Sequence, residues 1–222
     1  VADADDKCAS EAETANSIQD DDGCPDAGFA VVFEKARVRH ASYATLDALA
    51  GEVSIGIIEG DIATDIDAAR LGGRGAQISL PNTSNGVGGE CHLDAPMVGR
   101  ALAALDLAPL DLVVVENVGN LVCPAEFDVG EHAKAMVYSV TEGEDKPLKY
   151  PVMFRAVDVV LLNKIDLIPH LDADVDAYLA SIREVNPAAT VLPVSARTGA
   201  GMGAWFAWLR RFTGPIERTS LT

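Results

Sequence analysis

The feature that most constrains the fold is a series of short, continuous apolar runs separated by helix-like stretches. Asp111-Leu112-Val113-Val114-Val115 and Val157-Asp158-Val159-Val160-Leu161-Leu162 are nearly unbroken, and Val53-Ser54-Ile55-Gly56-Ile57-Ile58, Ala135–Val140 and Thr190–Val194 have the same character. Continuous rather than alternating runs suit strands buried on both faces. A weaker strand is expected over Ala76–Leu80. Between the runs, the spacing predicts helices over Thr64–Leu71, Asp94–Leu105, Pro147–Arg155, Asp172–Val185 and Met202–Phe212. Phe29–Leu49 reads as mostly helical, with Ala and Leu recurring around charged positions. Strands alternating with helices give an α/β fold, a mostly parallel sheet with helices on both faces. Ligands in such folds bind at the carboxyl ends of the strands. The residues just after each run are therefore the candidates for function.

A chain of 222 residues with 49% hydrophobic residues can bury one sizeable core and still carry a tail. Residues 1–28 hold Asp3, Asp5, Asp6, Glu11, Glu13 and Asp20-Asp21-Asp22 with few apolar partners, and read as an acidic disordered N-terminal tail. The domain is expected over residues 29–214, followed by a short tail, 215–222. No apolar run reaches the roughly 18 residues of a membrane span. No basic segment precedes an apolar stretch near the start, so no secretory signal is expected and a cytoplasmic location is. The formal net charge of −17 argues against nucleic acid as a partner, since such binding relies on Lys and Arg. The same charge suits an ordinary soluble protein or a saline cytoplasm. The four cysteines, Cys8, Cys24, Cys91 and Cys123, do not suggest a disulfide framework in a chain of this length.

Asn163-Lys164-Ile165-Asp166 follows the Val157–Leu162 run. A carboxylate placed like Asp166 can accept two hydrogen bonds from the N1 and N2 donors of guanine. Adenine lacks that pair, and a site built for it rejects the other ring strongly. Asn163 would hold the loop, and the Lys164 stem would pack over the base. Ser195-Ala196-Arg197 follows the last strand, where small GTPases carry Ser-Ala-Lys to support the base from the backbone. The two motifs together point to guanine; separately each could be an ordinary strand-end turn.

Glu116-Asn117-Val118-Gly119 follows Asp111–Val115, at the place of the DxxG of many GTPases. The acid would sit near magnesium, and the Gly119 amide could reach a γ-phosphate. Asp61, in Glu59-Gly60-Asp61, could hold magnesium through water or orient an attacking water. Both acids could equally be loop or cap carboxylates. Cys91-His92 and Cys123-Pro124 are the metal candidates, since thiolate and imidazole suit nickel and zinc. The same residues also read as buried thiols with a surface His. Trp205, Phe206, Trp208, Leu209 and Phe212 recur at helical spacing and read as core.

Taken together, Glu116-Asn117-Val118-Gly119-Asn120-Leu121-Val122-Cys123-Pro124-Ala125-Glu126-Phe127-Asp128, Glu59-Gly60-Asp61-Ile62, Cys91-His92-Leu93-Asp94-Ala95, Ser139–Gly143, Asp145–Pro151, Asn163–Leu167 and Ser195-Ala196 resemble the HypB family of hydrogenase nickel-incorporation GTPases. The resemblance runs from about Ala44 to Leu209, with motifs agreeing in order and spacing. It implies a P-loop GTPase-like fold with ExxG in place of DxxG, and GTP, Mg2+ and Ni2+ (or Zn2+) as ligands. It implies a GTP-dependent homodimer with Cys91, His92 and Cys123 as metal ligands at its interface. It also implies partners among the hydrogenase maturation factors and the hydrogenase large-subunit precursor. Lys146 falls in a segment that in the family comes near the nucleotide and the partner subunit. The related urease-maturation GTPases are expected to carry Cys-Pro-His, which this sequence lacks.

Two departures stand out. Cys8 and Cys24 do not form the tight N-terminal nickel cluster some members carry. More consequentially, GxxxxGK(S/T) is absent from the sequence. Its glycine-rich backbone, Lys and Ser/Thr would hold the phosphates and magnesium. The chain runs from Arg37-Val38-Arg39-His40-Ala41-Ser42-Tyr43 into Ala44-Thr45-Leu46, so the first strand, the loop and a helical turn are expected to be missing. An incomplete copy of a normal protein accounts for this better than a genuine deletion, because the other nucleotide motifs are intact. A genuine deletion would instead leave a metal-binding protein deficient in hydrolysis.

Overall fold

The computed structural model describes residues 29–35, 39–60, 76–79, 93–117 and 128–213. In chain order the elements are β1 (Phe29–Lys35), α1 (Arg39–Leu49), β2 (Ile55–Glu59), β3 (Gln77–Ser79), α2 (Ala95–Leu102), β4 (Leu112–Glu116), β5 (Ala133–Ser139), α3 (Lys146–Lys149), α4 (Pro151–Arg155), β6 (Val159–Asn163), α5 (Val175–Val185), β7 (Thr190–Pro193) and α6 (Met202–Leu209). Short 3-10 turns cover Val140–Glu142, Ile165–His170 and Arg210–Phe212. The strands form one sheet in the order β3-β2-β4-β1-β5-β6-β7, with every adjacent pair parallel.

The strand expected to be missing is present. Phe29–Lys35, read from sequence as the start of a helix, is β1, and it lies at the centre of the sheet between β4 and β5. Phe29 pairs with Leu112 and Val31 with Ala133. Two flanking strands offer this backbone hydrogen-bond partners on both edges, and that pairing outweighs the local helical pattern. Helix begins only at Arg39.

Strand periodicity sorts the core. Ile55, Ile57, Leu112, Val114, Ala135, Val137, Val159 and Leu161 pack on one face with Leu46 and Leu49 of α1 and Trp205, Trp208 and Leu209 of α6. Trp205 donates from Nε1 to Thr45 Oγ1 at 2.9 Å, joining the two helices. Residues one position out of phase face the other side. Val113 and Val115 meet Val98, Ala101 and Leu102 of α2, while Met136, Tyr138, Val160 and Leu162 meet Phe154, Tyr178 and Ile182 of α4 and α5.

Helix boundaries follow local chemistry. Asp94 caps α2 by accepting from the Met97 N–H at 2.7 Å. The stretch Pro147–Arg155, expected as one helix, is divided into α3 and α4. Tyr150 takes φ −125° and ψ 55° there, because a residue before proline is pushed out of the helical region. Among the described residues no helix is long and apolar enough to cross a membrane. The tails 1–28 and 215–222 and the helix expected over Thr64–Leu71 lie outside the described residues.

Candidate functional site

The carboxyl ends of β6 and β7 are joined into one rigid unit. Asn163, the last residue of β6, is buried, and its Oδ1 accepts from the Lys164 N–H at 2.7 Å and the Ala196 N–H at 3.1 Å. Ser195 is fully buried, and its Oγ donates to Asp166 Oδ1 at 2.6 Å while accepting from the Thr198 N–H at 3.2 Å. The Ile165 N–H reaches the Val194 carbonyl at 3.2 Å. Asn163, Asp166, Ser195 and Ala196 thus come together across the two loops. Arg197 lies at the exposed rim of the same loop.

Two backbone features hold that unit. Lys164 has φ 65° and ψ 33°, the only non-glycine residue with positive φ among the described residues. A lysine in the left-handed region is disfavoured unless its surroundings enforce it, and such residues gather at functional sites. On the β7 side, Gly201 has φ 72°, and a Cβ there would run into the Pro193 carbonyl oxygen. Only glycine lets the chain double back from β7 into α6.

The end of β5 is next to the β6 end, with Ser139 paired to Asn163. Ser139 and Glu142 form a capping box around the 3-10 turn. Glu142 also holds Lys146, and Asp145 holds Lys149. Tyr178 donates to the Val140 carbonyl at 2.6 Å, and Tyr138 donates to the Gly143 carbonyl. Burial raises both phenol pKa values above the usual range. The hydrogen bond from Lys149 lowers the Asp145 pKa, and the same bond raises that of Lys149. Lys146 therefore opens α3 just after the braced turn that ends β5, and is held by Glu142.

At the other side of β1, Glu59 of β2 and Glu116 of β4 are register partners, and both are buried. Glu116 is also level with Phe33 near the end of β1. The next residue, Asn117, is buried, and its Oδ1 accepts from the Leu93 N–H at 2.9 Å. The Gly60 N–H donates to the Glu116 carbonyl at 2.8 Å. The segment that follows Cys91-His92 is thereby tied to the first half of Glu116–Gly119. Asp61, Gly119, Cys91, His92 and Cys123 themselves lie outside the described residues. Among the described residues no group of three or more His, Cys, Asp or Glu side chains is placed to hold a metal ion.

Between β1 and α1 stand only Ala36-Arg37-Val38. The strand order changes direction at β1, the usual ligand position in such sheets. The connection there is three residues long and lacks GxxxxGK(S/T).

Asn117 and Glu142 escaped the sequence reading of function. Ser139-x-x-Glu142 follows the Ser/Thr-x-x-Glu pattern and could have been found. The Asn117–Leu93 contact spans 24 residues and has no local signal. His170 lies exposed at the end of its turn. His132 is half-buried, and burial lowers its pKa.

The family model for the CobW/HypB/UreG nucleotide-binding domain matches residues 43–193. The chain is 55% identical over 177 residues to the hydrogenase maturation factor HypB of Azotobacter vinelandii, covering 80% of this chain and 57% of that relative. It thus spans little more than half of that relative's length. Its structure is similar to the crystal structure of the hydrogenase maturation factor HypB from Archaeoglobus fulgidus, with TM-score 0.75, 33% identity and coverage of 84% of this chain and 91% of the other. It is likewise similar to HypB from Helicobacter pylori in complex with nickel, with TM-score 0.76, 27% identity and coverage of 86% and 91%.

Proposed function

The chain belongs to the HypB hydrogenase maturation factors of the CobW/HypB/UreG nucleotide-binding family, and on that footing we propose that it is a cytoplasmic metallochaperone coupling GTP binding and hydrolysis to nickel delivery for nickel–iron hydrogenase maturation. The observation that carries this reading is the joined Asn163–Asp166–Ser195–Ala196 unit. Ser195 orients the Asp166 carboxylate, which accepts the guanine N1 and N2 hydrogens. Asn163 locks both loops, and Lys164 covers the base plane. On this reading Lys146 and the Gly119 amide would also serve the nucleotide.

Glu116 and its neighbour Glu59 supply the hard oxygen donors that fit Mg2+, with Asp61 orienting the attacking water. Mg2+ bound there would neutralise phosphate charge. Nickel is the cargo. Cys91, His92 and Cys123 would take it, or zinc, as soft and borderline ligands. Three ligands from one chain do not close a tetrahedral site; a second copy in a homodimer sharing the metal, or a water, would complete it. The complex would then pass nickel through other maturation factors to the hydrogenase large-subunit precursor.

Titration of Ni2+ in the presence of a GTP analogue and of GDP tests this reading. The nickel affinity is expected to differ about tenfold, within the usual range of coupling between sites. Equal affinities count against it. A second reading, a nickel or zinc carrier deficient in hydrolysis, is favoured by one observation: the three-residue link between β1 and α1. Turnover of GTP to GDP and phosphate by this chain excludes that alternative.

A further inference from the structure

We infer that Asn117 is a positioning residue that transmits the nucleotide state at Glu116–Gly119 to the metal-binding segment ending at His92; this rests on the metallochaperone reading above. Three segments interlock at the carboxyl ends of β2 and β4. Asn117 Oδ1 accepts the Leu93 N–H at 2.9 Å in a buried setting. The Gly60 N–H donates to the Glu116 carbonyl at 2.8 Å. Gly60 is packed so closely on Leu93 that a Cβ there would lie 2.9 Å from Leu93 Cδ1.

Leu93 is fully buried and follows His92 directly. Asp94, the next residue, is fixed as the cap of α2 through Met97 at 2.7 Å. The backbone leaving His92 is therefore anchored at two successive residues, one to α2 and one to the nucleotide-facing segment. The anchor at Asn117 lies two positions before Gly119. A shift of that segment toward a γ-phosphate moves Oδ1. The buried Leu93 N–H must then follow or lose its acceptor.

The chemistry explains why an amide side chain stands here. It supplies a neutral acceptor beside Glu116, where another carboxylate would add like charge. An aliphatic residue of the same size would leave the Leu93 N–H unsatisfied. Asn117 needs no contact with nucleotide or metal for this role.

The test uses the full chain with saturating nucleotide. Ni2+ affinity is measured with a GTP analogue and with GDP for the wild type, N117A and N117D, alongside amide hydrogen exchange at Leu93 in the wild type. The nickel-affinity ratio of the wild type, about tenfold, is expected to fall to near one in N117A. N117D keeps an acceptor oxygen for the Leu93 N–H but adds a like charge beside Glu116, so its ratio should lie between those of the wild type and N117A. Leu93 exchange should differ at least several-fold between nucleotide states. A wild-type ratio that persists unchanged in N117A overturns the inference and leaves the metallochaperone reading standing. A wild-type ratio of one overturns both. If N117A does not fold, the Leu93 exchange decides: equal protection in the two states overturns the inference.

Discussion

Ser195 Oγ donates to Asp166 Oδ1 at 2.6 Å, so the loop after the last strand sets the orientation of the carboxylate offered to the base. The two residues are 29 positions apart. They meet because β6 and β7 are parallel neighbours whose ends lie together, with Leu162 paired to Pro193.

Removing that bond should loosen recognition without unfolding the sheet. S195A is expected to weaken guanosine binding by about 1–3 kcal/mol, the usual effect of taking one partner from a buried polar pair. D166N should do something different in kind. An Asn amide can donate to the O2 of xanthine, so preference should move from guanine to xanthine nucleotides. Competition titrations with guanosine, xanthosine and adenosine read both effects. Unchanged guanine preference in D166N would remove Asp166 from the base site.

Gly201 is a test of the scaffold. G201A forces a Cβ toward the Pro193 carbonyl and a side chain into positive φ. A loss of at least about 1–3 kcal/mol of unfolding free energy is expected, as for backbone strain at a special φ/ψ. Denaturant midpoints measure it. Because Ser195 lies between Pro193 and Gly201, guanosine affinity should fall as well.

The short β1–α1 link makes a constructive prediction. Inserting GxxxxGKT between Lys35 and Arg39 supplies amides, a Lys and a hydroxyl where phosphates would lie. GTP affinity should rise at least tenfold while guanosine affinity stays within about twofold, since the base unit is untouched. Equal gains for both would mean the insertion acts on folding rather than on phosphate.

His132 predicts a pH dependence. Burial lowers its pKa from the ordinary value of 6.5, so below that pH the unfolded chain binds a proton that the folded chain resists. The stability tied to His132 is complete above about pH 6.5 and declines as pH falls below it. Urea midpoints from pH 7.5 to 5 should fall, and H132Q should flatten that part of the decline. A midpoint that rises on acidification in the wild type, and not in H132Q, would reverse the assignment.

Much of this was legible in the sequence, for physical reasons. Val157–Leu162 and Asp111–Val115 are so uniformly apolar that only doubly covered strands suit them, and Asn163-Lys164-Ile165-Asp166 follows directly. β1 was misread because Glu34, Lys35 and the alanines around them give a helical local pattern. Its strand character comes from β4 and β5, which lie 77 and 98 residues away or more. Lys164's left-handed backbone is partly held from outside, by the Val194 carbonyl that accepts from Ile165 and by the Ala196 N–H that fixes Asn163. The Asn117–Leu93 bond has no sequence signature, since either residue alone reads as ordinary.

The most direct test of the central claim is a titration of the 222-residue chain with a fluorescent GTP analogue and Mg2+, competed by unlabelled GTP and ATP. The joined Asn163–Asp166–Ser195–Ala196 unit predicts displacement by GTP at concentrations at least a hundredfold below those needed for ATP, the discrimination expected of a site built for a paired donor edge. Equal displacement by the two nucleotides, or binding of neither, would contradict the account.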